Sequence, residues 1–139
     1  MPPEVVTTLR DAGHEVLETD ALETGIADVD IVYSTRIQEE RFASREKADL
    51  FRGRFRLNQS VYTPNCEPNT VIMHPLPRDS REGARELDID LNDNPNLAIF
   101  RQSDNGVLVR MALFALILDV ADQVEHHSAP VNWYTERRF

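Results

Sequence analysis

Thr70-Val71-Ile72-Met73-His74-Pro75-Leu76-Pro77-Arg78 is the stretch whose reading decides the fold. Residues 70–73 form an apolar ramp that reads as a buried strand. Two prolines within the next five residues fix their own φ and push the residue before each out of the helical region. The spacing predicts a stiff, extended ledge leaving the C-terminal end of the strand, with carbonyls facing outward and Arg78 at its far end. Open α/β sheets bind ligands at the carboxyl ends of their strands. A ledge of free carbonyls there suits a neutral donor such as an amide, and a guanidinium suits an anion.

Outward from this strand the chain alternates helix and strand. Residues 3–12 read as a first helix, with proline at its start and Gly13 at its end. Residues 14–17 read as a short strand and 20–27 as a short helix. A second strand covers 30–34, where Ile31, Val32 and Tyr33 are apolar as in a sheet covered on both faces. Ser44 can cap a helix running to about residue 51. Residues 58–68 are turn-rich, and 97–100 suit a last short strand. Asp104 or Asn105 then opens a long helix over 106–124. Its positions Val107, Met111, Phe114, Ala115 and Leu118 recur at helical spacing, for packing against the sheet or a neighbouring domain. The expected fold class is α/β, a doubly wound, Rossmann-like parallel sheet flanked by helices. It is incomplete at its N-terminal edge, because the chain opens on a helix with no strand before it.

Composition limits the function classes. The chain has 139 residues, one domain's worth, with 41% apolar and 28% charged residues, as in a soluble globular protein. The longest apolar run, 111–118, is too short to span a bilayer. Met1-Pro2-Pro3-Glu4 lacks the basic and apolar regions of a signal peptide. A single cysteine, Cys66, allows no internal disulfide, so a cytoplasmic location is expected. Cys66 sits among Pro64, Asn65, Glu67 and Pro68, a composition that reads as a loop, with no base placed to activate it. Net charge is −9, and no basic stripe interleaved with aromatics marks a nucleic-acid partner. Local arginines, not the whole-molecule field, would have to attract anionic substrates.

Such arginines stand in Ser34-Thr35-Arg36-Ile37-Gln38-Glu39-Glu40-Arg41, which follows the strand ending at Tyr33 and so emerges at the same sheet edge as the ledge. A guanidinium forks onto a carboxylate with two parallel hydrogen bonds. A carboxamide two residues on can donate to a second oxygen or accept from an amine. Glu40 can brace the loop or pair with Arg78. A solvated, helix-leading loop is the alternative use of the same charges.

These motifs together resemble the aspartate carbamoyltransferase family, in its aspartate-binding domain. The matching segments are 30–41, 71–78, Phe100-Arg101-Gln102 with Asn105-Gly106, and Arg110-Met111-Ala112-Leu113, over roughly residues 1–119. The resemblance implies that Arg36 and Gln38 hold the carboxylates and amine side of aspartate, and that the main-chain carbonyls of Leu76 and Pro77 accept the carbamoyl amide. His74, Arg78, Glu40 and Arg41 would support them. The implied reaction is carbamoyl transfer from carbamoyl phosphate to L-aspartate in pyrimidine synthesis, with no cofactor, metal or covalent nucleophile. Implied partners are the two substrates and either a homo-oligomer, a trimer in the family, or a carbamoyl phosphate-binding half.

Two departures stand out. The family's phosphate-binding half, with its Ser-x-Arg-Thr-Arg signature, is absent. The chain is expected to begin partway through the aspartate domain, without a further arginine that grips aspartate. Residues 79–94 look longer than in relatives, and neither Glu82 nor Asp88 receives a role. Two other functions stay open: a non-catalytic truncated subunit that assembles with or regulates a complete carbamoyltransferase, and an ornithine-type fragment. The second is disfavoured because that family carries cysteine where Pro75 stands and a different loop at Arg36 and Gln38. The domain is expected over 1–125, with a tail over 126–139 whose Trp133, Tyr134 and Phe139 suit docking. Adjacent helical residues such as His126 and His127 face apart and suit a solvated helix end better than shared metal ligation. Arg101 and Arg110 are expected to brace the domain through ion pairs.

Overall fold

Three-residue apolar segments pair to form the sheet around which the described residues are arranged. The computed structural model describes residues 1–123, so the expectations for 126–139, including His126, His127 and the aromatic tail, lie outside the described residues. Strands β1 (Ile31–Tyr33) and β2 (Val71–Met73) run parallel, with Ile31 opposite Val71 and Tyr33 opposite Met73. Parallel neighbours need a long crossover, and here it carries α3 (Arg45–Asp49) and α4 (Gln59–Asn65). Helices α1 (Pro3–Asp11) and α2 (Leu22–Ile26) precede the strands, and α5 (Ile99–Ile117) follows them. The α/β architecture expected from the sequence is present.

The core forms where one face of this pair meets the helices. Ile72 is fully buried and clusters with Ile26 of α2, Leu57, Tyr62 of α4, Leu87, Leu91 and Ile99 of α5. The polar atoms drawn in with them are satisfied, as burial requires. The Tyr62 hydroxyl donates to the Thr70 carbonyl at 2.6 Å and accepts from the Asn96 amide at 3.0 Å. Thr70 Oγ1 donates to the Val29 carbonyl at 2.7 Å, tying the entrances of both strands together.

Local signals place several element ends. Gly13 adopts φ +86°, and its N–H and that of His14 donate to carbonyls of the last turn of α1. Ser44 caps α3 through its hydroxyl, which accepts the Lys47 N–H. Other expectations are corrected. Residues 58–68 are not simply turns: the Asn58 side chain caps α4, accepting the Val61 N–H at 2.9 Å, and Pro64 sits in the last turn. Residues 14–17 form no strand, since the described sheet offers them no neighbour to pair with. The expected strand at 97–100 reduces to one bridge, Leu97 to Ile72, before α5 begins at Ile99. That helix therefore opens well before Asp104 and runs straight through Gly106.

Coverage of the sheet also differs from expectation. Val32 packs on the core, but Ile31 and Tyr33 remain about half exposed, at 54% and 53%. Val107, Met111 and Phe114 of α5, and Leu118 just past its end, are all exposed. Their helical spacing is real, yet nothing among the described residues covers them. Arg101 and Arg110 form no ion pair among the described residues, so the expected bracing is absent there. Because the core centres on Ile72, Ile72→Ala should lower unfolding free energy by about 2–5 kcal/mol in urea titrations, whereas Ile31→Ala should cost under about 1 kcal/mol.

Candidate functional site

The parallel register brings two strand exits side by side. The Ser34 N–H donates to the Met73 carbonyl at 2.9 Å, one residue beyond β1. The chain then turns through a short 3₁₀ segment, Glu39–Arg41, while the other exit becomes the proline ledge. Between them lies a cavity of about 610 Å³ lined by Arg36, Ile37, Gln38, Arg41, Phe42 and residues 74–77, with Thr35 at its margin. Of the residues singled out from the sequence, Arg36, Gln38, Arg41, His74, Leu76 and Pro77 come together here. Glu40 and Arg78 instead border an adjoining depression, with Arg36, Pro77 and Arg81.

The ledge departs from the extended form expected of it. Leu76 has φ +57°, and the Leu76–Pro77 peptide is cis. Few non-glycine residues adopt a positive φ, and here the Leu76 N–H is fixed by donating to His74 Nδ1 at 2.9 Å. His74 is itself buried, and its Nε2 lies 2.8 Å from Glu86 Oε1, also buried. Burial holds the imidazole below its ordinary pKa, with Glu86 pulling the other way. Nδ1 accepts the Leu76 N–H, so the neutral imidazole carries its proton on Nε2. The carbonyls of Leu76 and Pro77 accept no hydrogen bond from the described residues, which leaves two acceptors open at the cavity.

The cations divide into engaged and available groups. Glu39 accepts from Arg52 at 3.0 Å and Arg81 at 2.8 Å, and these bonds, led by Arg81, hold its carboxyl below the usual range. Arg81 also grips Asp79, so one guanidinium joins the end of the ledge to the turn at Glu39. Arg78 turns toward Asn92 Oδ1 at 2.9 Å and the Asp88 carbonyl at 3.4 Å, a brace and not a free anion site. Arg36 keeps one half-exposed pair, 3.4 Å from Glu40, so Glu40 pairs with Arg36 and not with Arg78. Exposed pairs of this kind are weak and readily exchanged for a better anion. The side chains of Gln38 and Arg41 have no partner among the described residues. Together these groups can receive a small dicarboxylate beside a group that donates N–H to carbonyls. Among the described residues no cluster of histidine, cysteine and carboxylates could hold a metal ion.

Four residues that matter here were not identified as site residues from the sequence. Gln102 on α5 accepts the His74 N–H at 2.9 Å and donates to the Tyr33 hydroxyl at 2.8 Å, tying the helix to both strand exits. Glu86, Arg52 and Arg81 sit among many charges, and no local pattern marks which partner each takes. Cys66, at the end of α4, points its sulfur toward the Ile26 carbonyl at 3.7 Å, and burial raises its thiol.

The chain was compared with known proteins. The profile of the family described as aspartate/ornithine carbamoyltransferase, Asp/Orn binding domain, matches residues 2–117. The aspartate carbamoyltransferase catalytic subunit of Saccharophagus degradans is 72% identical over 139 residues, covering 100% of this chain and 41% of that protein. That of Cellvibrio japonicus is 70% identical over 138 residues, covering 99% and 41%. The chain thus spans about 41% of the length of these curated relatives. Among solved structures, the catalytic subunit of M. jannaschii aspartate transcarbamoylase superposes with a TM-score of 0.69 at 28% identity, covering 88% of this chain and 38% of that one. The Trypanosoma cruzi aspartate transcarbamoylase in complex with carbamoyl phosphate and aspartate gives 0.67 at 29% identity, covering 82% and 36%.

The Asp79–Arg81 contact predicts a specific acid titration. Hydrogen bonding to Arg81 holds Asp79 at about 2, below its ordinary 3.8. A carboxyl lowered on folding contributes stability that is complete above the ordinary value and is lost as pH falls through the lowered one. Carboxyl-carbon NMR should therefore show Asp79 titrating near 2 in the native chain and close to 3.8 in Arg81→Ala.

Proposed function

The chain belongs to the aspartate/ornithine carbamoyltransferase family, and on that footing we propose that it is the aspartate-recognising half of an aspartate carbamoyltransferase. Arg36 takes a carboxylate of L-aspartate, Gln38 the second carboxylate or the amine side, and the Leu76 and Pro77 carbonyls the carbamoyl amide. His74, Arg78, Glu40 and Arg41 support them. The observation that carries this reading is one cavity in which a weakly engaged Arg36, and a Gln38 without a partner among the described residues, face a ledge whose two carbonyls accept no hydrogen bond from those residues.

In the proposed reaction the aspartate amine attacks the carbonyl carbon of carbamoyl phosphate. The carbon–oxygen bond to phosphate breaks, the nitrogen gives up a proton, and N-carbamoyl-L-aspartate and phosphate form, a step of pyrimidine synthesis. Such a reaction needs alignment of the two substrates and donors or cations near the developing charge. The carbonyl ledge orients the carbamoyl group through its NH₂, which leaves its oxygen for donors elsewhere. The donors for carbamoyl oxygen and phosphate would come from a carbamoyl phosphate-binding half.

Exposed structure supports that association. The second half of α5 and the residue that follows it expose Val107, Leu108, Met111, Phe114, Ile117 and Leu118, far more apolar surface than a free helix end normally shows. In β1, Ile31 and Tyr33 are half bare, and with Val32 they border a cavity of about 470 Å³ lined largely by apolar residues. Both surfaces suit docking against the half of the enzyme that binds phosphate. A subunit that assembles without turning over is the second reading, favoured by the same exposed apolar residues of α5.

L-aspartate binding, followed by chemical-shift titration of the chain, tests the assignment. Arg36→Ala should weaken it about tenfold or more, as loss of a charged hydrogen-bonded contact implies. Gln38→Ala should weaken L-aspartate more than carbamoyl phosphate. Unchanged aspartate affinity in Arg36→Ala would remove the assignment of this loop.

A further inference from the structure

The charged segment after the ledge contains one carboxylate that is not on the surface. Glu86 is 4% exposed, and its carboxylate meets both ends of the ledge. At one end Oε1 lies 2.8 Å from His74 Nε2. At the other, the Asp79 N–H donates to Oε1 at 3.1 Å and Oε2 at 3.3 Å. Residues 75–78 are therefore bracketed by two groups that meet one side chain, His74 through a charge contact and Asp79 through a hydrogen bond. That side chain stands on fixed backbone: the Glu86 carbonyl accepts the Leu57 N–H at 2.8 Å, and Leu87 beside it is fully buried.

We propose that Glu86 is a positioning residue that sets the direction of the Leu76 and Pro77 carbonyls for the carbamoyl amide. This rests on the reading of the cavity given under the proposed function. The carboxylate lies 2.8 Å from Nε2 without the alignment of a hydrogen bond, and its negative charge there favours the imidazole tautomer protonated at Nε2, whose Nδ1 lone pair faces the ledge. That lone pair receives the Leu76 N–H and holds Leu76 at its positive φ. The direction of the next carbonyl follows from that backbone. With His74 at 1% exposure, water is not at hand to substitute for the Nδ1 bond or to screen the contact at Nε2. Burying a carboxylate is costly, and apolar side chains of similar volume usually hold a loop at least as stably. A buried carboxylate with donors at both ends of a binding ledge is thus better suited to fixing geometry than to adding stability.

The test uses the 139-residue chain with two probes, N-carbamoyl-L-aspartate and L-aspartate, and reads the His74 imidazole by nitrogen-15 NMR. Glu86→Gln keeps the shape and one acceptor oxygen for the Asp79 N–H, but it removes the charge beside His74 and puts an NH₂ in place of the second oxygen. Glu86→Leu removes both acceptors with little loss of volume, and circular dichroism checks that each variant is folded. The native chain should show the Nε2–H tautomer, and Glu86→Leu a mixture. Glu86→Leu should weaken N-carbamoyl-L-aspartate about tenfold or more, and Glu86→Gln by less, while either changes L-aspartate less than about threefold, the difference expected when the ledge alone is disturbed. Equal losses for both probes, or no loss for either, would overturn the positioning role. A native imidazole protonated at Nδ1 would overturn the clamp. If the native chain binds neither probe yet shows the Nε2–H tautomer, the ligand reading of the cavity falls and the role of Glu86 in carbamoyl binding falls with it, while the His74–Glu86 contact stands.

Discussion

A three-residue parallel pairing governs this molecule. With Tyr33 opposite Met73, the two chains leave the sheet together, and everything at the candidate site follows from that exit. A slip of one residue would turn Ile72 out of the core and redirect both loops. The register is held from several sides at once. Thr70 bonds back to Val29 at the strand entrances, Ser34 to Met73 at the exits, and Gln102 reaches from α5 to Tyr33 and His74. Short strands that could not stand alone are thereby fixed where the site needs them.

The electrostatics follow a division of labour that net charge hides. The chain carries −9 overall, yet Arg36, Arg41, Arg78 and Arg81 gather near the strand exits. Glu39 and Asp79 engage Arg81, Glu39 also engages Arg52, and Asn92 engages Arg78. Those bonds stiffen the surroundings. Arg36 is left with a long, exposed pair, and Gln38 and Arg41 with none among the described residues, so the groups facing the cavity are the ones free to change partner. A buried His74–Glu86 contact underlies the ledge opposite them.

Much of this was legible in the sequence, because it depended on local signals. The ramp 70–73, Gly13 and Ser44 each act through their own backbone or the next turn, and the structure follows them. The cluster of Arg36, Gln38, Leu76 and Pro77 was legible because two strand exits in a parallel sheet must lie at one edge. What escaped depended on neighbours far along the chain. Asn58 and Pro64 read as turn residues, although a cap and a final helical turn use the same residues. Residues 14–17 have strand composition but no strand to join. Ile99 starts α5 because its side chain reaches the core beside Ile72, a fact that no helical spacing contains. Glu86 looks like any other charge between residues 79 and 94 until folding buries it beside His74.

The account is tested most directly by measuring N-carbamoyl-L-aspartate formation from carbamoyl phosphate and L-aspartate. The chain would be assayed alone and mixed with a separately prepared carbamoyl phosphate-binding half from the family. An aspartate-recognising half predicts negligible turnover alone, turnover in the mixture, and loss of that turnover with Arg36→Ala. Robust turnover by the chain alone, or turnover in the mixture indifferent to Arg36→Ala, would contradict it.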